Sequence, residues 1–192
     1  GITLHELVDE HCGGMQPGHR LLAYLPGGAS GGILPAAPAD LPGALPPEPR
    51  VLGPGVGSEE GLQVKTVLAK RSVNALFPAV NTIIGVRPDA KPWHPSGRAI
   101  DVMIPNYHSP EGIELGNQIA GYALANAKRW GVLHVIWRQG FYPGIGAPSW
   151  TADYGNETAN HFDHVHIATD GGGYPTGRET YYSGSMNVAP AG

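Results

Sequence analysis

The residues able to do chemistry in this 192-residue chain are its nine histidines and a few carboxylates, and they gather in two places. The first is Trp93-His94-Pro95-Ser96-Gly97-Arg98-Ala99-Ile100-Asp101, an imidazole and a carboxylate on either side of a tight turn containing Pro and Gly. Asp101 stands inside the apolar run Ala99-Ile100-Asp101-Val102-Met103-Ile104, and an Asp among β-formers is costly to bury unless something pairs with it. A metal ion is one such partner, since carboxylate oxygen and imidazole nitrogen together suit zinc. The second place is His161-Phe162-Asp163-His164-Val165-His166.

Residues two apart in a strand face the same side, so His164 and His166 project into one cavity and Asp163 points to the opposite face. His161, in the preceding loop, can approach the same space. With His94 and Asp101 this inventory supplies two histidines and a carboxylate for a metal, with further histidines for proton transfer. A catalytic zinc needs three protein ligands and one open position. The competing reading takes these as satisfied polar residues on loops and strand ends. It accounts for any one histidine better than for the conjunction.

Elements must hold these residues in place. Ser58 before Glu59-Glu60 reads as an N-cap with acids in the first turn, and Leu62, Val64, Val67, Leu68, Val73 and Leu76 give a helical apolar face ending before Pro78. Val80 to Val86 is β-rich, and residues 98–104 read as a strand. Ser109-Pro110-Glu111 starts a second helix, with Gly131 as its C′ residue. Val132 to Arg138 is a strand, a Gly/Pro-rich loop with Phe141, Tyr142 and Trp150 follows, and His164–Thr169 is the last strand. Helix, strand, strand, helix, strand, strand implies an α+β domain with a mostly antiparallel sheet.

Composition bounds the rest. A net charge of -4 and a pI near 6.1 argue against nucleic-acid binding. No apolar run is long enough to span a bilayer, and no signal peptide opens the chain. The single Cys12 excludes an internal disulfide and any multi-cysteine metal site. The 29 glycines and 19 prolines are unevenly spread, and the Pro/Ala/Gly bias from Leu34 to Gly57 marks residues 41–57 as a linker. A globular domain is expected over 58–183 and a flexible tail over 184–192. Ahead of the linker, Thr3 to Cys12 reads as a short helix with Thr3 and Glu6 as a capping box, and Arg20 to Leu25 as a strand. The glycine loop 27–32 lacks the Gly-Lys-Ser/Thr ending of a phosphate loop.

Two resemblances add to this. Glu10-His11-Cys12-Gly13-Gly14-Met15 and Pro26-Gly27-Gly28-Ala29-Ser30 make residues 1–40 resemble a β-grasp fragment of the NADH-binding flavoprotein of respiratory complex I. The nucleotide domain and the cluster cysteines of that flavoprotein have no counterpart here, so this reads as a fusion segment rather than a redox unit. His94-x-x-Gly97-x-Ala99-x-Asp101 with His164-x-His166 resembles the zinc peptidases that cleave D-alanyl bonds in bacterial cell walls. That family includes D-Ala-D-Ala carboxypeptidases, murein endopeptidases and phage endolysins, and shares the fold of the hedgehog signalling domain. Phe77-Pro78, Gly85-Val86-Arg87, Val135 to Gln139 and Ala159 to His166 extend the likeness to a domain of secreted actinobacterial and fungal proteins.

The resemblance implies His94, Asp101 and His166 as zinc ligands and His164 as the histidine that activates water or steadies the oxyanion. His161 matches a further histidine of the endopeptidase branch. Relatives that use an acid shortly before the last ligand place a Glu there. Here that position holds Asp163, which leaves the base open between Asp163 and His164. Arg87 or Arg138 would hold the oxyanion or a substrate carboxylate, or else form an ordinary ion pair. Trp93, Tyr107, Trp137 and Trp150 are candidates for a substrate groove, with core packing the alternative for Trp137. His5, His11, His19, His108 and His134 receive only structural roles. The implied activity is a secreted or wall-associated, zinc-dependent peptidoglycan hydrolase acting on peptide stems. The alternative is a non-catalytic wall- or glycan-binding module on the same hedgehog/DD-peptidase-like fold.

Overall fold

The computed structural model describes residues 50–183 and, outside them, three two-residue strands. Of those three, β1 (Ala23–Tyr24) pairs antiparallel with β2 (Leu34–Pro35). The expected helix at 3–12, most of the expected linker and most of the 184–192 tail lie outside the described residues.

The first helix, α1, spans Val64–Leu76 and ends at Phe77, before Pro78. It starts five residues later than an N-cap at Ser58 implies, with Gln63 in the cap position. Gly61, at φ +73°, turns the chain out of helical geometry, and Ser58 Oγ instead accepts from Glu60 N within a tight turn at 3.1 Å. Glu59 therefore caps nothing. It folds back over α1 and takes Arg71 in a two-pronged pair (2.9 and 2.8 Å), with Lys70 Nζ at 3.3 Å.

The β-rich stretch 80–86 contributes two paired residues, β3 (Ile83–Ile84), and β4 is Ala99–Met103. Helix α2, Pro110–Ala125, begins as its cap requires, with Ser109 Oγ accepting from Gly112 N at 3.0 Å. After Asn126 a short turn, α3 (Ala127–Trp130), closes at Gly131, whose φ of +62° is the left-handed cap. Strand β5 is Val132–Trp137. The region expected to be a loop then holds a hairpin, with β6 at Gly140–Pro143 and β7 at Ser149–Trp150. The two-residue link Arg138-Gln139 has positive φ at both positions (48° and 64°), the geometry that matches strand twist but is usually written Asn-Gly. Strand β8 is His164–Thr169, and β9 (Glu179–Thr180) pairs with β10 (Ala189–Pro190).

Strands β3 to β8 form one six-stranded sheet in the order β3-β4-β8-β5-β6-β7, antiparallel throughout. The class is α+β, as the sequence pattern implies. One sheet face carries Ile100, Val102, Val135, Val165 and Ile167 into a core shared with Val67, Leu68 and Val73 of α1 and Ile119, Ala120 and Ala123 of α2. Trp137 belongs to this core, where its Nε1 donates to Asn117 Oδ1 at 3.0 Å. The opposite face carries Asp101, Met103, His134, Ile136, His164 and His166, and it floors a cleft.

The packed unit extends ahead of Ser58. Leu52 is buried, its N–H donates to Tyr181 O at 2.8 Å, and Val51 bridges Tyr182. Lys70 is fully buried and donates to Pro54 O at 2.8 Å. Residues 50–56, inside the expected linker, thus lie against the body of the domain.

Candidate metal centre

Strand register assembles the site. β4 and β8 pair so that Asp101 lies directly opposite His166 and Met103 opposite His164. The pleat turns all four toward the cleft. His94 arrives from outside the sheet on the turn 92–97, which closes through Gly97 N to His94 O at 3.0 Å and Arg98 N to Trp93 O at 2.8 Å. Gly97, at φ +70°, is required there, because a Cβ would collide with the Gly61 carbonyl.

His94, Asp101 and His166 are all buried. His94 Nε2 lies 3.1 Å from Asp101 Oδ1 and 3.2 Å from His166 Nδ1, and that nitrogen lies 2.9 Å from the same carboxylate oxygen. Proton accounting explains the cluster. His94 Nδ1 is 2.8 Å from Gly85 O, which can only accept, so the ring proton is on Nδ1 and Nε2 presents a lone pair. That lone pair faces an anionic oxygen, an arrangement a shared cation would stabilise. The group could therefore hold a metal ion, with one donor atom from each of the three residues.

Arg87 braces the carboxylate. Its Nε donates to Asp101 Oδ2 at 3.0 Å and Nη2 pairs with the same oxygen at 3.0 Å, while Nη1 donates to Asp89 Oδ2 at 2.7 Å. The guanidinium is thereby committed, and Oδ1 alone is left toward the histidines. Burial by itself would raise the Asp101 carboxyl. Hydrogen bonding to His166, with His94 and His164 close by, outweighs it and holds the group well below the ordinary range. Burial likewise lowers His166, against the pull of Asp101 in the other direction.

His164 and Asp163 act as a pair. His164 Nδ1 is 2.6 Å from Asp163 Oδ1, and the other carboxylate oxygen accepts from Thr158 Oγ1 at 2.7 Å. Asp163 does not line the cleft, in keeping with its alternate position before the strand. Buried His164 Nε2 has no hydrogen-bond partner among the described residues and lies 3.6 Å from Asp101 Oδ1. His161, held at a left-handed φ of +57°, lies with its ring centroid 4.7 Å from that of His164 and tilted 44° to it, and lines the cleft. Its Nδ1 is buried without a partner among the described residues, and burial, with His164 and His166 close by, lowers its pKa to about 4.

Arg138 is elsewhere. Its guanidinium packs 4.5 Å from the Phe162 ring and reaches Tyr107 O at 3.4 Å, and it does not line the cleft. Trp93 does line it, beside Phe141 and Tyr154, whereas Tyr107, Trp137 and Trp150 do not. The residue that sequence reasoning passed over is His134. It is buried in the cleft floor at 5.4 Å from the His166 ring, and burial together with His166 brings its pKa down to about 4. The signal was its two-residue spacing from Ile136 on β5, meaningful only once β5 is known to neighbour β8. The cleft measures about 1050 Å³.

Among known proteins, a 35-residue stretch, 18% of this chain, is 51% identical to part of an NADH-quinone oxidoreductase component from Rhizobium meliloti (strain 1021). The chain spans 8% of that relative's length, in keeping with a fragment-sized likeness. No solved structure matches the chain. Residues 58–162, more than half of the chain and the part that carries His94, Asp101 and His161, match the model of the family described as VldE, C-terminal domain. The chain belongs to the VldE C-terminal domain family.

Proposed function

We propose that the domain is a zinc-dependent peptidoglycan hydrolase that cleaves an amide bond at a D-amino acid in cell-wall peptide stems, as a secreted or wall-associated protein. The observation that carries this reading is a three-donor face with an unpartnered base beside it. His94 Nε2, Asp101 Oδ1 and His166 Nδ1 form a triangle with sides of 3.1, 3.2 and 2.9 Å. Tetrahedral zinc, with donor bonds of about 2.0–2.1 Å, asks for edges of roughly 3.3 Å, so two imidazoles and one carboxylate oxygen fit that ion. When bound, zinc would supply Lewis acidity toward water and the scissile carbonyl.

The protein residues supply the proton chemistry and the orientation. Asp163 accepts from Nδ1–H of His164, which fixes the tautomer and leaves the Nε2 lone pair toward the cleft. His164 Nε2 takes the proton from attacking water and hands it to the departing amine, with Asp163 steadying the imidazolium. Arg87, being committed to Asp101 and Asp89, holds the ligand carboxylate rather than the oxyanion. Trp93, Phe141 and Tyr154 offer apolar walls to a peptide stem.

The test is digestion of purified peptidoglycan with and without chelator, followed by zinc readdition. Release of muropeptides should vanish with chelator and return with zinc, and His164→Ala should slow it by about 10²–10⁴-fold. Release that ignores chelator, or survives that substitution, overturns the reading. Wall binding by the parent protein with no release favours a binding module.

A further inference from the structure

Each of the three donor residues needs something to hold its orientation. For His94 this is the Gly85 carbonyl on Nδ1, and for Asp101 it is Arg87 on Oδ2. His166 differs. Its Nδ1 faces Asp101 and His94, and among the described residues no hydrogen-bond partner reaches its Nε2. A ligating imidazole usually gives its second nitrogen to a carboxylate or carbonyl, which sets the ring plane.

What His166 has instead is a ring against its face. His134 lies nearly parallel to it, with centroids 5.4 Å apart and planes 20° apart. On the other side of His134, Phe141 lies at 5.0 Å and 27°. The sheet order β8-β5-β6 puts His166 and Phe141 on opposite flanks of His134, so the three rings form one stack across three strands. Trp93 closes it edge-on, 5.4 Å from His134 at 75°. The bulge between Val132 and His134 in the β5–β8 register sets His134 beside Ala168 and diagonal to His166, within reach of an aromatic side chain.

We propose that His134 is a positioning residue of the metal centre, which fixes the His166 ring by offset stacking in place of a hydrogen bond. This rests on the metal-site reading above but not on hydrolysis. The role belongs to the flat ring and not to its nitrogens, so a phenyl ring should fill it.

The experiment measures zinc affinity by competition against a chromogenic chelator for the parent protein, His134→Ala, His134→Phe and His134→Gln, each shown folded by circular dichroism. Loss of an outer partner of a metal ligand typically costs about 10–100-fold in affinity, and that loss is expected for the Ala and Gln variants. His134→Phe should stay within about threefold of the parent, given that offset aromatic pairs retain most of their contact energy without a polar atom. Ala binding zinc as tightly as the parent overturns the proposal, as does Phe losing as much as Ala. A parent protein that holds no zinc overturns the metal site and this inference together. A parent that holds zinc without cleaving peptidoglycan leaves this inference standing while the hydrolase reading fails. If Ala does not fold, the Gln–Phe contrast decides alone, since equal affinities there overturn the proposal.

Discussion

Among single residues, Asp163 touches His164 and not the cleft, and in the proposed mechanism this contact makes His164 the base and Asp163 the group that orients it. Asp163→Asn keeps the shape but loses the charge that orients and steadies His164. Turnover should then fall by roughly 10²-fold or more while zinc content is unchanged, which kinetics paired with metal analysis would check. An Asp163→Asn protein with parental turnover would return Asp163 to a passive part. Arg87→Gln removes the Nε donor and the paired positive charge from Asp101 Oδ2. Its expected effect is weaker zinc binding, on the order of 10–100-fold, rather than a loss confined to turnover. The pair His164 and His166 was legible because strand alternation turns both to one side, whereas the set His94, Asp101 and His166 came from the resemblance to the zinc peptidases, since the sheet register that puts Asp101 opposite His166 is not written in either strand alone. Arg87 was legible as a cation but not as a brace, since a guanidinium on a loop acquires its target only when the sheet brings Asp101 beneath it. His134 was illegible for the same reason, its partner being a strand away.

Among the elements, the helices were read best where a side chain writes the signal. Ser109 caps α2 as expected, but that helix breaks at Asn126 and Gly131 closes the short α3 beyond the break, while Ser58 caps a turn because Gly61 interrupts the pattern before the helix can start. The β5–β6 hairpin was missed because Arg138-Gln139 adopts a turn geometry its residue types do not advertise. Helix α2 meets the sheet through Gly116, where a Cβ would strike the Trp137 ring. Gly116→Ala should therefore destabilise the domain by about 1–3 kcal/mol despite its better helix propensity, measurable by chemical denaturation. The turn before β9 offers a pH test. Glu179 accepts from Thr176 N, Thr176 Oγ1 and Gly177 N, and these bonds lower its pKa from 4.5 to about 2. The folded state prefers the ionised form, so its contribution is present above pH 4.5 and lost as pH falls through about 2. Glu179→Gln should flatten the acid limb of the stability curve in that window.

The whole molecule places a helix-covered core on one face of the sheet and its reactive side chains on the other. The family match begins at residue 58, yet Leu52 is buried and Lys70 donates to Pro54 O. A chain trimmed to start at Ser58 uncovers apolar core and strips a buried ammonium of one partner. It should unfold at lower denaturant than one starting at Arg50, by about 2 kcal/mol or more. Composition marked residues 41–57 as linker because Pro and Gly dominate there, and one leucine and two backbone carbonyls do not alter a composition. The α+β class and the antiparallel sheet, by contrast, followed from element order alone.

Both the hydrolase reading and the role of His134 depend on His94, Asp101 and His166 holding zinc. The zinc content of the purified, folded protein, read by mass spectrometry beside an equally folded Asp101→Asn variant, decides this. About one zinc per parent chain is expected and little in the variant, as loss of one of three protein ligands requires. A folded parent with no zinc, or a variant that keeps all of it, would mean that these three residues are not a zinc site.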